Sequence, residues 1–124
     1  MKAAKDFMQE ANAVVPRISA EEAIAKYKAG GGVFIDVRDS AAIAQSGTIA
    51  GAHRINRGVL EFAADPATPA HNDALQKDAD LYLVCAAGGQ AALAGKTLKD
   101  MGFEKVTNIG GIGDWKAAGG PIED

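Results

Sequence analysis

The chain has one thiol, and the residues around it could put it to chemical use. Cys85 ends the apolar run "LYLV" (81–84) and opens the segment "CAAGGQ" (85–90), after which a helical pattern begins. No Ser, Thr, Asp or Asn stands at an N-cap position of that helix, and no acid lies in its first turn. The backbone N–H groups of Ala86, Ala87, Gly88, Gly89 and Gln90 are therefore without local side-chain acceptors. Added to the positive end of the helix dipole, they form an anion-binding cradle. Such a cradle favours thiolate over thiol. An ordinary cysteine, with a pKa of about 8.5, is little ionised near neutrality, and a helix N-terminus lowers that value by one to several units. Small side chains also let a substrate approach the sulfur. A plainer reading uses the same residues. A lone Cys at a strand end often packs as a small apolar side chain, and Gly-Gly after a strand is often only a turn. On these residues alone both readings stay open.

Other groups near this segment have clearer roles. Asp36 and Arg38, in "FIDVR", read as an ion pair and hydrogen-bonded bracket that holds loop geometry near the site. Arg57 directly follows a strand end, so it is the cation to expect at the pocket mouth, the alternative being a solvated surface arginine. His53 reads as a partly buried, satisfied histidine, and Glu61 and His71 as surface groups. Trp115 is expected to anchor the core, with Gly110 and Gly111 allowing close backbone approach. Lys96 and Lys99 fall late in their helix, where positive charge suits the dipole, and read as a solvated face.

Composition narrows the function classes. With 124 residues, 48% of them hydrophobic, the chain can bury one core. A net charge of −3 and only 6% aromatic residues supply neither the basic field nor the stacking platform of a nucleic-acid binder. One Cys forms no internal disulfide, and with two His it builds no usual structural zinc site, so neither metal nor organic cofactor is implied. The opening "MKAAKDFMQEANAVV" is not a signal peptide, because Asp6, Glu10 and Asn12 interrupt it. No apolar run approaches the ~20 residues that span a bilayer. The expectation is a cytoplasmic protein with no membrane partner.

The elements that must position Cys85 can be traced along the chain. Ala4, Phe7, Met8, Ala11, Val14 and Val15 fall at helical spacing, which predicts an amphipathic helix over 1–15 packed on a single domain over 16–124. Pro16 ends it. Ser19 and Glu22 have the spacing of a capping box for the next helix, which Gly30 to Gly32 stop. "VFIDV" (33–37) reads as a buried strand, Ser40 as the cap of a short helix over 41–45, and 52–55 as a second short strand. "LYLV" is the third strand, followed by a helix with Leu93, Ala94, Thr97, Leu98 and Met101 on its inner face. "KVTNI" (105–109) is a further strand, and "GGIGDWKAAGG" a last short helix. Strands alternating with helices predict an α/β three-layer sandwich on a parallel sheet, whose ligands gather beyond the strands' carboxyl ends. Cys85 lies there.

From about Arg17 to Pro121 the chain resembles a single-domain rhodanese, a sulfurtransferase homology domain. The matching segments are "FIDVR" (34–38), "GTIAGAHRIN" (47–56), "RGVLEF" (57–62) and "CAAGGQAALAGKTLKDMGF" (85–103). Gly110, Gly111, Trp115 and "AAGGP" ending at Pro121 complete the pattern. The resemblance implies a five-stranded, mainly parallel sheet and a persulfide formed on Cys85. It implies a small sulfur donor such as thiosulfate or a persulfide, and a thiol or cyanide as acceptor. The loop departs from the family at its end, where rhodaneses usually carry Arg and this chain has Gln90. Gln90 can hydrogen-bond but brings no charge and no bidentate fork, so thiosulfate turnover should be weak. The phosphatase relatives on this fold have a loop one residue longer that needs its terminal Arg. Two rivals to sulfur transfer stand: a rhodanese-fold binding or regulatory module, and a redox-sensing thiol.

Overall fold

A computed structural model describes all 124 residues, Met1–Asp124. In chain order the elements are α1 (Ala4–Val14), α2 (Ala20–Ala29), β1 (Gly32–Asp36), α3 (Ser40–Ser46), β2 (Thr48–Ile49) and β3 (His53–Arg54). A 3₁₀ turn over Arg57–Val59 leads into α4 (Leu60–Ala64), then β4 (Asp80–Cys85), α5 (Gly89–Asp100), β5 (Val106–Gly111), α6 (Ile112–Ala117) and β6 (Ile122–Glu123). The central sheet is parallel throughout, in the order β3-β1-β4-β5. Strands β2 and β6 form a separate antiparallel pair.

The fold class is the expected α/β sandwich on a parallel sheet, but the sheet has four regular strands rather than five. A fifth position exists beside β5 as a single parallel bridge between Arg17 and Asn108. Its two backbone bonds run from Ile18 N–H to Asn108 O (3.1 Å) and from Asn108 N–H to Pro16 O (2.8 Å). Pro16 has no N–H with which to extend the ladder, and Ser19 already caps α2 by accepting from Glu22 N–H at 3.1 Å. The edge strand therefore stops after one rung.

Side-chain alternation along the strands builds two cores. Ile35, Leu81, Leu83 and Cys85 point to one face, where they meet Leu60, Leu75, Ala91, Ala94, Leu98 and Phe103. Phe34 and Val84 point to the other, against Ala23, Ile24, Ile109 and Trp115. Alternation with period two thus decides that the Cys85 side chain faces α5. Helix α1 lies against α5; it buries Ala11 and leaves Phe7 and Val14 partly in solvent.

Two local expectations change, and one strand pair is new. Asp39, not Ser40, caps α3, accepting from Ala42 N–H at 2.8 Å. The β2–β6 pair has no signature in the sequence, because two-residue strands are too short to show a period. Trp115 is buried as expected, with its Nε1–H donating to Pro121 O at 2.9 Å and its ring set edge-on to Tyr27 at 5.4 Å. The glycine beneath it is Gly120, where a Cβ would stand 2.3 Å from Trp115 Cε2. Gly110 and Gly111 serve the cysteine loop instead.

Candidate active site

The thiol sits at the carboxyl end of β4 with its residue only 1% exposed. Two backbone N–H groups are aimed at its sulfur: Gly88 at 3.0 Å and Ala91 at 3.3 Å. Of the five N–H groups that the sequence leaves without side-chain acceptors, Gly88 therefore finds the sulfur itself. Those of Ala86, Ala87, Gly89 and Gln90 donate to no group of the protein. The loop closes in this way because Gly88 takes φ +103°, a left-handed conformation open to glycine. The helix starts directly after it with no side-chain cap.

Strand β5 supplies the floor of the loop. A Cβ on Gly111 would lie 2.3 Å from the Ala86 carbonyl oxygen, so only glycine lets this backbone sit so close. Asn108, 1% exposed, donates from Nδ2 to Gly88 O at 2.9 Å and accepts from Gly110 N–H on Oδ1 at 2.8 Å. Asn108 and Arg17 are the two residues of this region that the sequence reading missed. An Asn inside the strand "KVTNI" is a usable signal, since a buried amide needs partners. Arg17, in the link between two helices, offered none.

Asp36 and Arg38 form the expected bracket. The guanidinium donates to both Asp36 oxygens, with Nη2 at 2.7 Å from Oδ2 and Nε at 3.0 Å from Oδ1, and both residues are buried. Arg38 also holds Ser46 Oγ (2.7 Å) and Gly47 O (2.8 Å), while Thr48 Oγ1 donates to Asp36 Oδ2 at 2.7 Å. This network ties β1 to the α3–β2 turn. Asp36 is in register with Val84, one residue before the thiol.

Arg57 makes no hydrogen bond to the cysteine loop. It donates to Glu61 Oε1 at 3.0 Å and to Thr97 Oγ1 at 2.9 Å, and it lines a cavity of about 500 Å³ with Phe7, Met8, Leu93 and Lys96 between α1 and α5. That cavity adjoins the loop through Met8, whose sulfur lies 3.9 Å from where a Gly89 Cβ would stand. His53 borders a shallow opening with Tyr27 and Gly32, toward the amino end of β1. Glu61 is exposed. His71 is largely covered, with Nδ1 3.3 Å from Asp73 and Nε2 buried without a partner, so it is not the surface group expected. Lys96 pairs with Asp100 at 3.1 Å. Tyr82 is pushed above the ordinary phenol range by burial and, secondarily, by the Asp80 charge; it stacks on Phe34 on the face away from the thiol. No group of three or more His, Cys, Asp or Glu side chains could hold a metal ion, and no helix is long and apolar enough to cross a membrane.

Fold and loop together define a parallel α/β domain with a cysteine loop at the carboxyl end of a central strand. The rhodanese-like domain model matches residues 19–118, and the chain belongs to that family. Among solved structures, a protein of unknown function from Rhodopseudomonas palustris, described as a possible tyrosine phosphatase, is 40% identical; the match covers 99% of this chain and 96% of that one, with a TM-score of 0.93. The rhodanese-like domain of an Anabaena protein is 28% identical over 87% of this chain and 78% of its own, with a TM-score of 0.71. A rhodanese-related protein from Thermoplasma volcanium is 25% identical over 87% of this chain and 97% of its own, with a TM-score of 0.70. No curated protein matches the chain.

Proposed function

We propose that the protein is a sulfurtransferase or sulfane-sulfur carrier that forms a persulfide on Cys85. The observation that carries this reading is the loop backbone: two N–H groups hold the sulfur while four neighbours stay unpaired. In the first step the Cys85 thiolate attacks the outer sulfur of a donor. A bond forms between Sγ and that sulfur, the donor's sulfur–sulfur bond breaks, and the electron pair leaves with the remainder, sulfite in the case of thiosulfate. The terminal sulfur of the persulfide, an anion, is received by the free N–H groups. In the second step a thiolate or cyanide attacks this outer sulfur, and the electron pair of the breaking bond returns to Cys85. A chain with one unpaired thiol suits the reducing cytoplasm.

The loop argues for sulfur rather than phosphoryl transfer. It ends at Gln90, and a loop one residue longer would end at Ala91, so neither length supplies a guanidinium for a phosphoryl group. The second reading that an observation favours is a binding module, because Gln90 leaves the cradle without a fixed charge of its own.

Intact mass separates the two. After incubation with thiosulfate or a low-molecular-weight persulfide the protein should gain one sulfur, and Cys85→Ala should gain none. No gain from any donor leaves the binding module. Gln90→Arg should raise thiosulfate turnover roughly ten- to thirtyfold, mostly through donor binding, the equivalent of ~1.5–2 kcal/mol for a hydrogen bond to a charged group. A persulfide donor of lower charge should respond much less. Equal gains with both donors would show that charge is not what Gln90 lacks.

A further inference from the structure

The cradle is neutral at Gln90, yet a cation stands behind it. Arg17 donates from Nη2 to the Ala87 carbonyl oxygen at 3.4 Å. Ala87 C=O and Gly88 N–H belong to one trans peptide group, so they point in opposite directions. The oxygen end of that peptide meets the guanidinium, and its hydrogen end meets the Cys85 sulfur at 3.0 Å. Resting on the sulfur-transfer reading above, we propose that Arg17 is a positioning residue of this site. It orients and polarises the Ala87–Gly88 peptide, and so brings positive charge to the sulfur through the backbone.

Three features fix Arg17 in this place. Its backbone is pinned to β5 by the bridge to Asn108 and the bonds of its two neighbours. Its side chain lies over two glycines of positive φ: a Cβ on Gly88 would stand 2.3 Å from Nη1, and one on Gly110 would stand 3.0 Å from Nη2. No carboxylate pairs with it, while five pairs of Lys or Arg with a carboxylate form elsewhere. Arg17 is exposed, so solvent screens its charge, and what reaches the loop is the one hydrogen bond to Ala87 O. Asn108 treats the next peptide alike, donating to Gly88 O and leaving Gly89 N–H free for the cradle. A cation on a carbonyl oxygen strengthens the hydrogen bond made by the N–H of the same peptide, since bonds in a chain polarise one another. Arg17 lies two residues before the family-matched segment 19–118.

The test is the rate of Cys85 alkylation by iodoacetamide against pH, in the full-length wild type, Arg17→Gln and Arg17→Lys. Cys85 is the only cysteine, so the signal is unambiguous. Arg17→Gln should move the midpoint of the profile to higher pH and slow persulfide formation roughly two- to threefold, the scale of a long hydrogen bond from an exposed charge. Arg17→Lys should recover much of both. A profile of Arg17→Gln superimposable on wild type overturns the proposal, as does a shift that Arg17→Lys fails to reduce, because charge would then not be the agent. Thermal unfolding of the same variants identifies a purely structural role: a lowered midpoint with an unchanged alkylation profile also overturns it. Alkylation needs no sulfur donor, so it decides the role of Arg17 even for a chain that takes up no sulfur.

Discussion

Replacing Asp36 by Ala should lower the stability of the domain by about 3–5 kcal/mol, the usual cost of removing one partner of a buried ion pair. Chemical denaturation reads the loss directly. Asp36 is fully buried and answers four donors: Arg38 N, Nε and Nη2, and Thr48 Oγ1. Without it the Arg38 guanidinium, itself 6% exposed, keeps only Ser46 Oγ and Gly47 O. A charge left in that position has lost both its counter-ion and its water. The double variant Asp36→Leu with Arg38→Met should recover part of the loss, because an apolar pair has no charge to strand. A loss below ~1 kcal/mol for Asp36→Ala would mean that Arg38 swings out to solvent and the bracket is dispensable.

Gly111→Ala should slow persulfide formation about a hundredfold while leaving the domain folded. The added Cβ would meet Ala86 O at 2.3 Å, Ala86 C at 3.0 Å and Ala87 Cα at 3.1 Å, all backbone atoms of the cysteine loop. None of them can yield by rotating a side chain, so the loop itself must shift. A displacement approaching 1 Å at a reacting group can cost about a hundredfold in rate. Gly113→Ala is the matched control. Its Cβ would meet nothing within 4 Å and it lies inside α6, so loading should be unchanged and stability slightly raised. Equal loading rates for Gly111→Ala and wild type would show that the close approach of β5 to the loop is not needed for the chemistry.

The parts of this fold that were legible in the sequence are those with a repeating or local chemical signal. β1, β4 and β5 appear as short apolar runs, α2 appears through Ser19 and Glu22, and the cysteine loop through its lack of any cap. What the sequence did not reveal is which of several possible neighbours a side chain meets. Arg57 follows a strand end and does line a cavity, but its partners Glu61 and Thr97 could not be read from that position. Gly110 and Gly120 are equally near Trp115 in sequence, but the ring rests on Gly120. Arg17 reaches the loop across seventy positions of sequence. That last contact depends on the register of an edge strand, and no pattern within six or eight residues encodes that register.

The single rung between Arg17 and Asn108 bears on how the molecule behaves among its own copies. An open strand edge is a template for pairing with another chain. At one end of the sheet β3 has only two paired residues, His53 and Arg54, so little edge is offered. At the other end β5 is six residues long, and what lies along its outer side is the stretch from Pro16 to Ile18, held by two backbone bonds. Those few residues act as a guard strip for the longest exposed edge of the sheet. A chain shortened to the family-matched residues 19–118 would keep every central strand and the thiol, yet would leave β5 uncovered and inclined to add strands from its neighbours.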